Sequence, residues 1–175
     1  GGVCGIDLTR FLGRARAMGS DCEGCNCPVG GDNSGAWFGA VMGELAVAGR
    51  DKVTMFVSPQ LAPFAAWAEQ LIAESAGKEG KGILPIADET PGAPEVYGSD
   101  RLFVYLKLAG DTTYDAAMQA LSAAGHPVIQ FNLQDLYDLS AEMFRWKIAT
   151  VVASISLHIN PFDQPDVESA KVQAR

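Results

Sequence analysis

The sequence predicts a three-layer α/β sandwich built on a parallel sheet, and three observations lead to it. Four short runs rich in β-branched and aromatic residues recur along the chain: "VTMFVS" from Val53, "GILPIA" from Gly82, "RLFVYLKL" from Arg101 and "PVIQFNL" from Pro127. These runs are apolar on both alternating faces, the pattern of strands covered by helices on two sides. Helical patterns lie between them, and helix-then-strand repetition demands crossovers that pack back onto a parallel sheet.

Taken in chain order, the first helical pattern covers Trp37 to Ala48 and stops at Gly49. A clearer one follows the first strand: Leu61, Phe64, Ala65, Ala68, Leu71 and Ile72 fall at helical spacing, and Gly77 is suited to the left-handed position that closes a helix. The Pro-, Gly- and acid-rich segment "ADETPGAPEVYGSD" reads as an exposed loop between two strands. A third pattern, Tyr114 to Ala124, is Ala-rich and ends at Gly125. After the last strand a helix begins near Leu136, and its apolar part, Ile148 to Ile159, reads as a buried helix. It is too short for the roughly 20 apolar residues a membrane span needs.

With 175 residues, 48% of them apolar, the chain can bury one sizeable core. The expected division is an N-terminal helix and Cys/Gly-rich arm over 1–35 and a single domain over 36–175. A net charge of -8 argues against nucleic acid and anionic lipid as partners, since both call for a basic surface. The N-terminus lacks the features of a secretory signal, so a cytoplasmic address is expected. Of the four cysteines, Cys22, Cys25 and Cys27 crowd into "DCEGCNCPVGG" with Cys4 upstream. Reduced thiols in a Gly-rich loop are the expectation, and no metal site is.

Several side chains could carry chemistry. Glu74 stands in the last turn of its helix, where the negative end of the helix dipole disfavours an anion, and partial burial there would raise its pKa toward the range of a general base. A solvated glutamate, its cost offset by Lys78, explains the same position. Gln164 and Lys171 are seven residues apart, so in a helix beginning near Asp163 they project from one face. An amide beside an ammonium suits sugar chemistry, and a solvated terminal helix accounts for the pair equally well. His126 reads as part of a turn and His158 as a core or interface residue. Glu142, Arg145 and Lys147 form either a buried charge network or a solvent stripe.

The segments "GELAVAGRDKVTMFVS", "EQLIAESAGKEGKGILPI", "PEVYGSDRLFVYLKL", "DLYDLSAEMFRWKIATVVA" and "INPFDQPDVESAK" together resemble glucose-6-phosphate isomerase, most closely the isomerase half of bacterial proteins that fuse transaldolase to it. "ESAGK" and "INPFDQPDVESAK" are the specific motifs. The resemblance implies a sugar-isomerase (SIS) domain of flavodoxin-like fold, the second of two in that enzyme, and interconversion of glucose 6-phosphate and fructose 6-phosphate through an enediol without metal or organic cofactor. It implies that Glu74 is the base moving the proton between C1 and C2, that Gln164 positions the sugar, and that Lys171 assists at the ring oxygen. The family's ring-opening histidine is expected in the motif matching "SAEMFRW", where Glu142 stands instead; Glu142 or His126 is then left for that acid work. The resemblance further implies a preceding SIS domain that binds the phosphate, possible fusion to a transaldolase domain, and a homodimer.

Overall fold

The computed structural model describes residues 5–27, 29–30, 32–78 and 80–163. A four-stranded, wholly parallel sheet of order β2-β1-β3-β4 is flanked by helices on both faces, the expected three-layer sandwich. Its strands are β1 (Lys52–Val57), β2 (Leu84–Ile86), β3 (Arg101–Leu108) and β4 (Val128–Leu133), and its helices are α1 (Leu8–Asp21), α2 (Ser34–Val47), α3 (Ala62–Ala76), α4 (Asp115–Ala123) and α5 (Leu139–Ser156).

The two faces differ in how they are covered. On the first, Val53 and Met55 of β1, Leu102, Val104 and Leu106 of β3, and Phe131 and Leu133 of β4 point into the main core. There α2, α3 and α5 close over them, with Phe38, Phe64 and Trp146 meeting edge to face: the Trp146 ring lies 4.9 Å from Phe38 and 5.8 Å from Phe64. On the second face Phe56, Phe103 and Tyr105 are covered by Met118 and Leu121 of α4 and by Tyr97 from the loop that carries the chain from β2 across to β3. That loop is therefore not wholly exposed. Tyr97 is buried, stacks edge-on against Phe103 at 5.0 Å, and accepts a hydrogen bond from Gly92 N at 2.8 Å.

Three local expectations change for identifiable reasons. Helix α2 starts a turn before Trp37 because Asn33 caps it, its Oδ1 accepting from Ala36 N at 2.9 Å. The boundary expected at residue 36 thus falls inside the first turn of α2, and α1 packs on α5 within the same body. Gly77 closes α3 with φ of -106°, outside the left-handed region; a Cβ there would lie 2.7 Å from Ala73 O, so close packing rather than handedness asks for glycine. Strand β4 is an edge strand, and its Gln130 and Asn132 are exposed, so it is not apolar on both faces.

Helix α5 is the centre of the helical layer, packing on α1, α2 and α3. It opens after Asp135 and Asp138, which pair with Arg10 and Arg14 of α1, the Arg14 Nη2 to Asp135 distance being 3.0 Å. The crossing with α2 is unusually close. A Cβ added to Gly39 would sit 2.4 Å from Ala149 O, and one added to Gly43 would sit 2.7 Å from Ser156 Cβ. Gly13, on α1, has nothing within 4 Å of that position. Gly39→Ala is therefore expected to destabilise the fold by about 3 kcal/mol through overpacking. Gly13→Ala should be neutral or stabilising by up to about 1 kcal/mol from helix propensity alone. Urea unfolding of the two variants beside the parent checks the contrast, and equal midpoints would contradict the close crossing.

Candidate functional site

Because α3 runs back antiparallel to β1, its last turn lies at the edge where the strands begin. An open cleft of about 660 Å³ is found at that edge. Its walls are the end of α2, Asp51 ahead of β1, the Gly77 to Leu84 loop, and Ser156 to His158 at the end of α5. Its charged and titratable side chains are Asp51, Lys81 and His158.

Glu74 stands beside this edge in the last turn of α3, exposed, with Gln70 Nε2 donating to its Oε1 at 3.0 Å. Lys78 does not neutralise it. The Lys78 side chain is only 3% exposed and turns the other way, onto the chain after α5. There Nζ donates to Asn160 O at 2.8 Å, to the Asp163 carbonyl, and to Asp163 Oδ1 at 3.1 Å. Asn160 tightens the same turn, Phe162 N donating to its Oδ1 at 3.1 Å and its Nδ2 donating to Asp163 Oδ2 at 3.2 Å. The two motifs singled out in the sequence, "ESAGK" and the opening "INPFD" of the terminal segment, are thereby brought into direct contact. Gln164, the next residue, and Lys171 lie outside the described residues.

The other two candidate acids are elsewhere. Glu142 is in the first turn of α5, and the 14 residues from there to Ser156 put it about 20 Å along the helix from the cleft. It is buried against Arg145, whose Nη1 donates to Oε1 at 2.5 Å, while Arg145 Nε donates to Ser34 Oγ at 3.1 Å and the guanidinium lies over the Phe131 ring at 4.5 Å. His126 is half-buried at the start of β4 but over the second face, edge-on to Phe103 and with Nε2 3.2 Å from Pro94 O. His158, expected in the core or an interface, is exposed: it takes a φ of 55° just past α5 and ends the helix.

Sequence reasoning missed Lys78 as a buried group and the cleft residues Asp51 and Lys81. Lysine at a helix C-terminus is the ordinary surface complement to the dipole, so no local signal marks its burial. Among the described residues no three His, Cys, Asp or Glu side chains gather as a metal site, and no helix is long and apolar enough to cross a membrane. Cys25 and Cys27 are exposed, and burial pushes the thiol of half-buried Cys22 up.

Burial also raises the pKa of Glu142, opposed by the positive charge of Arg145 and by a weak approach of the Trp146 indole N–H. Glu142 Oε2 and Trp146 Nε1 each lack a well-formed hydrogen bond. A raised pKa means the folded chain keeps this proton to higher pH than the unfolded chain does. The stability tied to that proton is full below the ordinary value near 4.5 and is lost as pH climbs through the raised value. Glu142→Gln, which stays neutral and still offers an acceptor to Arg145, is expected to match the parent at pH 4 and to equal or exceed its stability at pH 7. Denaturation midpoints at the two pH values check this; a variant markedly weaker at pH 7 would mean that the ionised pair is net stabilising.

No family model matches the chain. Glucose-6-phosphate isomerase of Rubrobacter xylanophilus is 29% identical over 212 aligned positions, covering 97% of this chain and 48% of the relative. That of Mycoplasmopsis synoviae is 28% identical, with 95% and 48% covered, and that of Leptospira interrogans 26%, with 97% and 46% covered. The crystal structure of a hypothetical protein from Thermus thermophilus matches with a TM-score of 0.78 at 20% identity, over 98% of this chain and 50% of that one, a likeness of fold alone. The chain is a parallel α/β sandwich with a cleft at the strands' beginning. Nearly all of it is similar to glucose-6-phosphate isomerase, and it spans about half the length of the curated relatives it matches.

Proposed function

We propose that this chain supplies the base-bearing half of an aldose-ketose isomerase site for sugar phosphates, interconverting glucose 6-phosphate and fructose 6-phosphate. The observation that carries the reading is the contact between the Glu74 end of α3 and the turn that opens the Gln164 to Lys171 segment, made through Lys78. That the three curated relatives are glucose-6-phosphate isomerases supports the choice of substrate.

On this reading the Glu74 carboxylate takes the proton from C2 of the open-chain aldose and returns it to C1 of the enediol; the same carboxylate serves the reverse direction. Gln164 orients a sugar hydroxyl, and Lys171 stabilises charge at the ring oxygen while the ring opens. An exposed Glu74 has no wall of its own to exclude water, which assigns that task to the part of the relatives this chain does not match. That part corresponds to a preceding SIS domain, binding the phosphate, in a homodimer of cytoplasmic address. Fusion to a transaldolase domain fits the same resemblance. Glu142 keeps a structural place beside Arg145, and His126 lies across the sheet from the cleft.

A second reading, a sugar-phosphate-binding module without turnover, draws on the glutamate at 142, where the resemblance expects a histidine. One experiment separates the two. In the full-length polypeptide, Glu74→Gln at matched folding is expected to lower kcat by roughly a thousandfold or more while substrate affinity is retained. Near-normal turnover would remove Glu74 from the base role. Binding without turnover in the parent itself would establish the module.

A further inference from the structure

Resting on the proposed reading, we infer that Lys78 is a positioning residue: it holds the turn Asn160 to Asp163, which leads into the terminal segment, against the helix end that carries Glu74. An ammonium has three protons, and at Lys78 they go to three acceptors, Asn160 O, Asp163 O and Asp163 Oδ1. The group is nearly sealed from water, with 3% of the side chain exposed, whereas its carboxylate partner is 51% exposed. A lone charge so buried is costly unless paired and hydrogen-bonded, so this arrangement specifies one position of the turn rather than permitting several.

The clamp also has a fixed base. Lys78 stands just past the Gly77 cap of α3, four residues after Glu74, and is pinned on its other side by the short antiparallel bridge to Lys81, where Lys81 N donates to Lys78 O at 3.0 Å. Its partners lie 82 and 85 residues further along, at the turn closing α5. A side chain that joins the helix end bearing Glu74 to the turn at Asn160 to Asp163 fixes the one against the other. Displacement on the ångström scale is enough to depress the chemical step by up to a hundredfold.

The test is Lys78→Met in the full-length polypeptide, with Asp163→Ala as a milder variant that removes the exposed carboxylate, and with it the Asn160 contact, but leaves both carbonyl acceptors of Lys78. Three quantities are read: kcat per folded molecule, substrate affinity, and amide exchange at Phe162 and Asp163. Lys78→Met is expected to lower kcat roughly tenfold to a hundredfold, with faster exchange confined to the turn, and Asp163→Ala to move both in the same direction by less. A merely structural lysine would lower the yield or the melting temperature and leave kcat per folded molecule within twofold of the parent; that result, or unchanged exchange at the turn, overturns the inference. Should Lys78→Met not fold, the Asp163→Ala result decides by the same criteria. Failure of the underlying reading shows separately, as unchanged turnover in Glu74→Gln, and the exchange measurement judges the clamp in that case too.

Discussion

The close approach of α2 to α5 is the constraint on which the remaining architecture depends. With hydrogen atoms at Gly39 and Gly43 where other residues carry a side chain, the two helix backbones come within reach of each other at Ala149 and Ala153. That proximity draws Phe38 onto Trp146 and Phe131, so the aromatic cluster closes over β4 as well as over the helices. It also sets α5 lengthwise. One end of the helix is tied to α1 through Asp135 and Asp138, and the other delivers the turn at Asn160 to Lys78. A shift of α5 by even part of a turn would break both ends at once.

The sheet is covered unequally, and this follows from its connections. Among the described residues, the first crossover, through α3, and the helices α2 and α5 occupy one face, and α4 with the loop from β2 to β3 covers the other. A loop can cover a sheet only where it lends an apolar side chain and satisfies its own polar groups. Tyr97 does both, with its ring against Phe103, the Arg101 guanidinium over its outer face at 5.0 Å, and its hydroxyl taking a hydrogen bond from Gly92 N. Arg101 in turn bonds Thr54 and Glu89, so a segment rich in proline and glycine is held at several points without regular structure.

What the sequence revealed about this structure was set by the range of the interactions concerned. Leu61, Phe64, Ala65, Ala68 and Ile72 repeat with the helix, and all five are buried in the folded chain, because a period is a local property. The three-layer architecture was legible for the same reason. Tyr97 was not, since one aromatic in a loop of prolines carries no period. Nor was the burial of Lys78, whose reason lies 82 residues away in Asn160. His158 is not in the core because, although Leu157 and Ile159 on either side of it are buried, it lies past the end of α5 with its backbone in the left-handed region and its side chain exposed. Of the candidate site, the motifs at Glu74 and at Asn160 to Asp163 were visible as a resemblance; their contact was visible only in three dimensions.

Taken with the proposed reading, the exposure of Glu74 says how the work is divided. A general base for carbon acids works best in a site closed to water. Glu74 is open to solvent in this chain. On that reading the exclusion of water falls to whatever covers Glu74 when the site is complete. On the same reading, what this chain contributes is geometry: Glu74 at the end of a helix packed into the core through Phe64, Ala68 and Ile72, and a buried cation holding the turn at Asn160 to Asp163 against that helix end. A half built in this way would let a partner surface provide desolvation without also having to place the base.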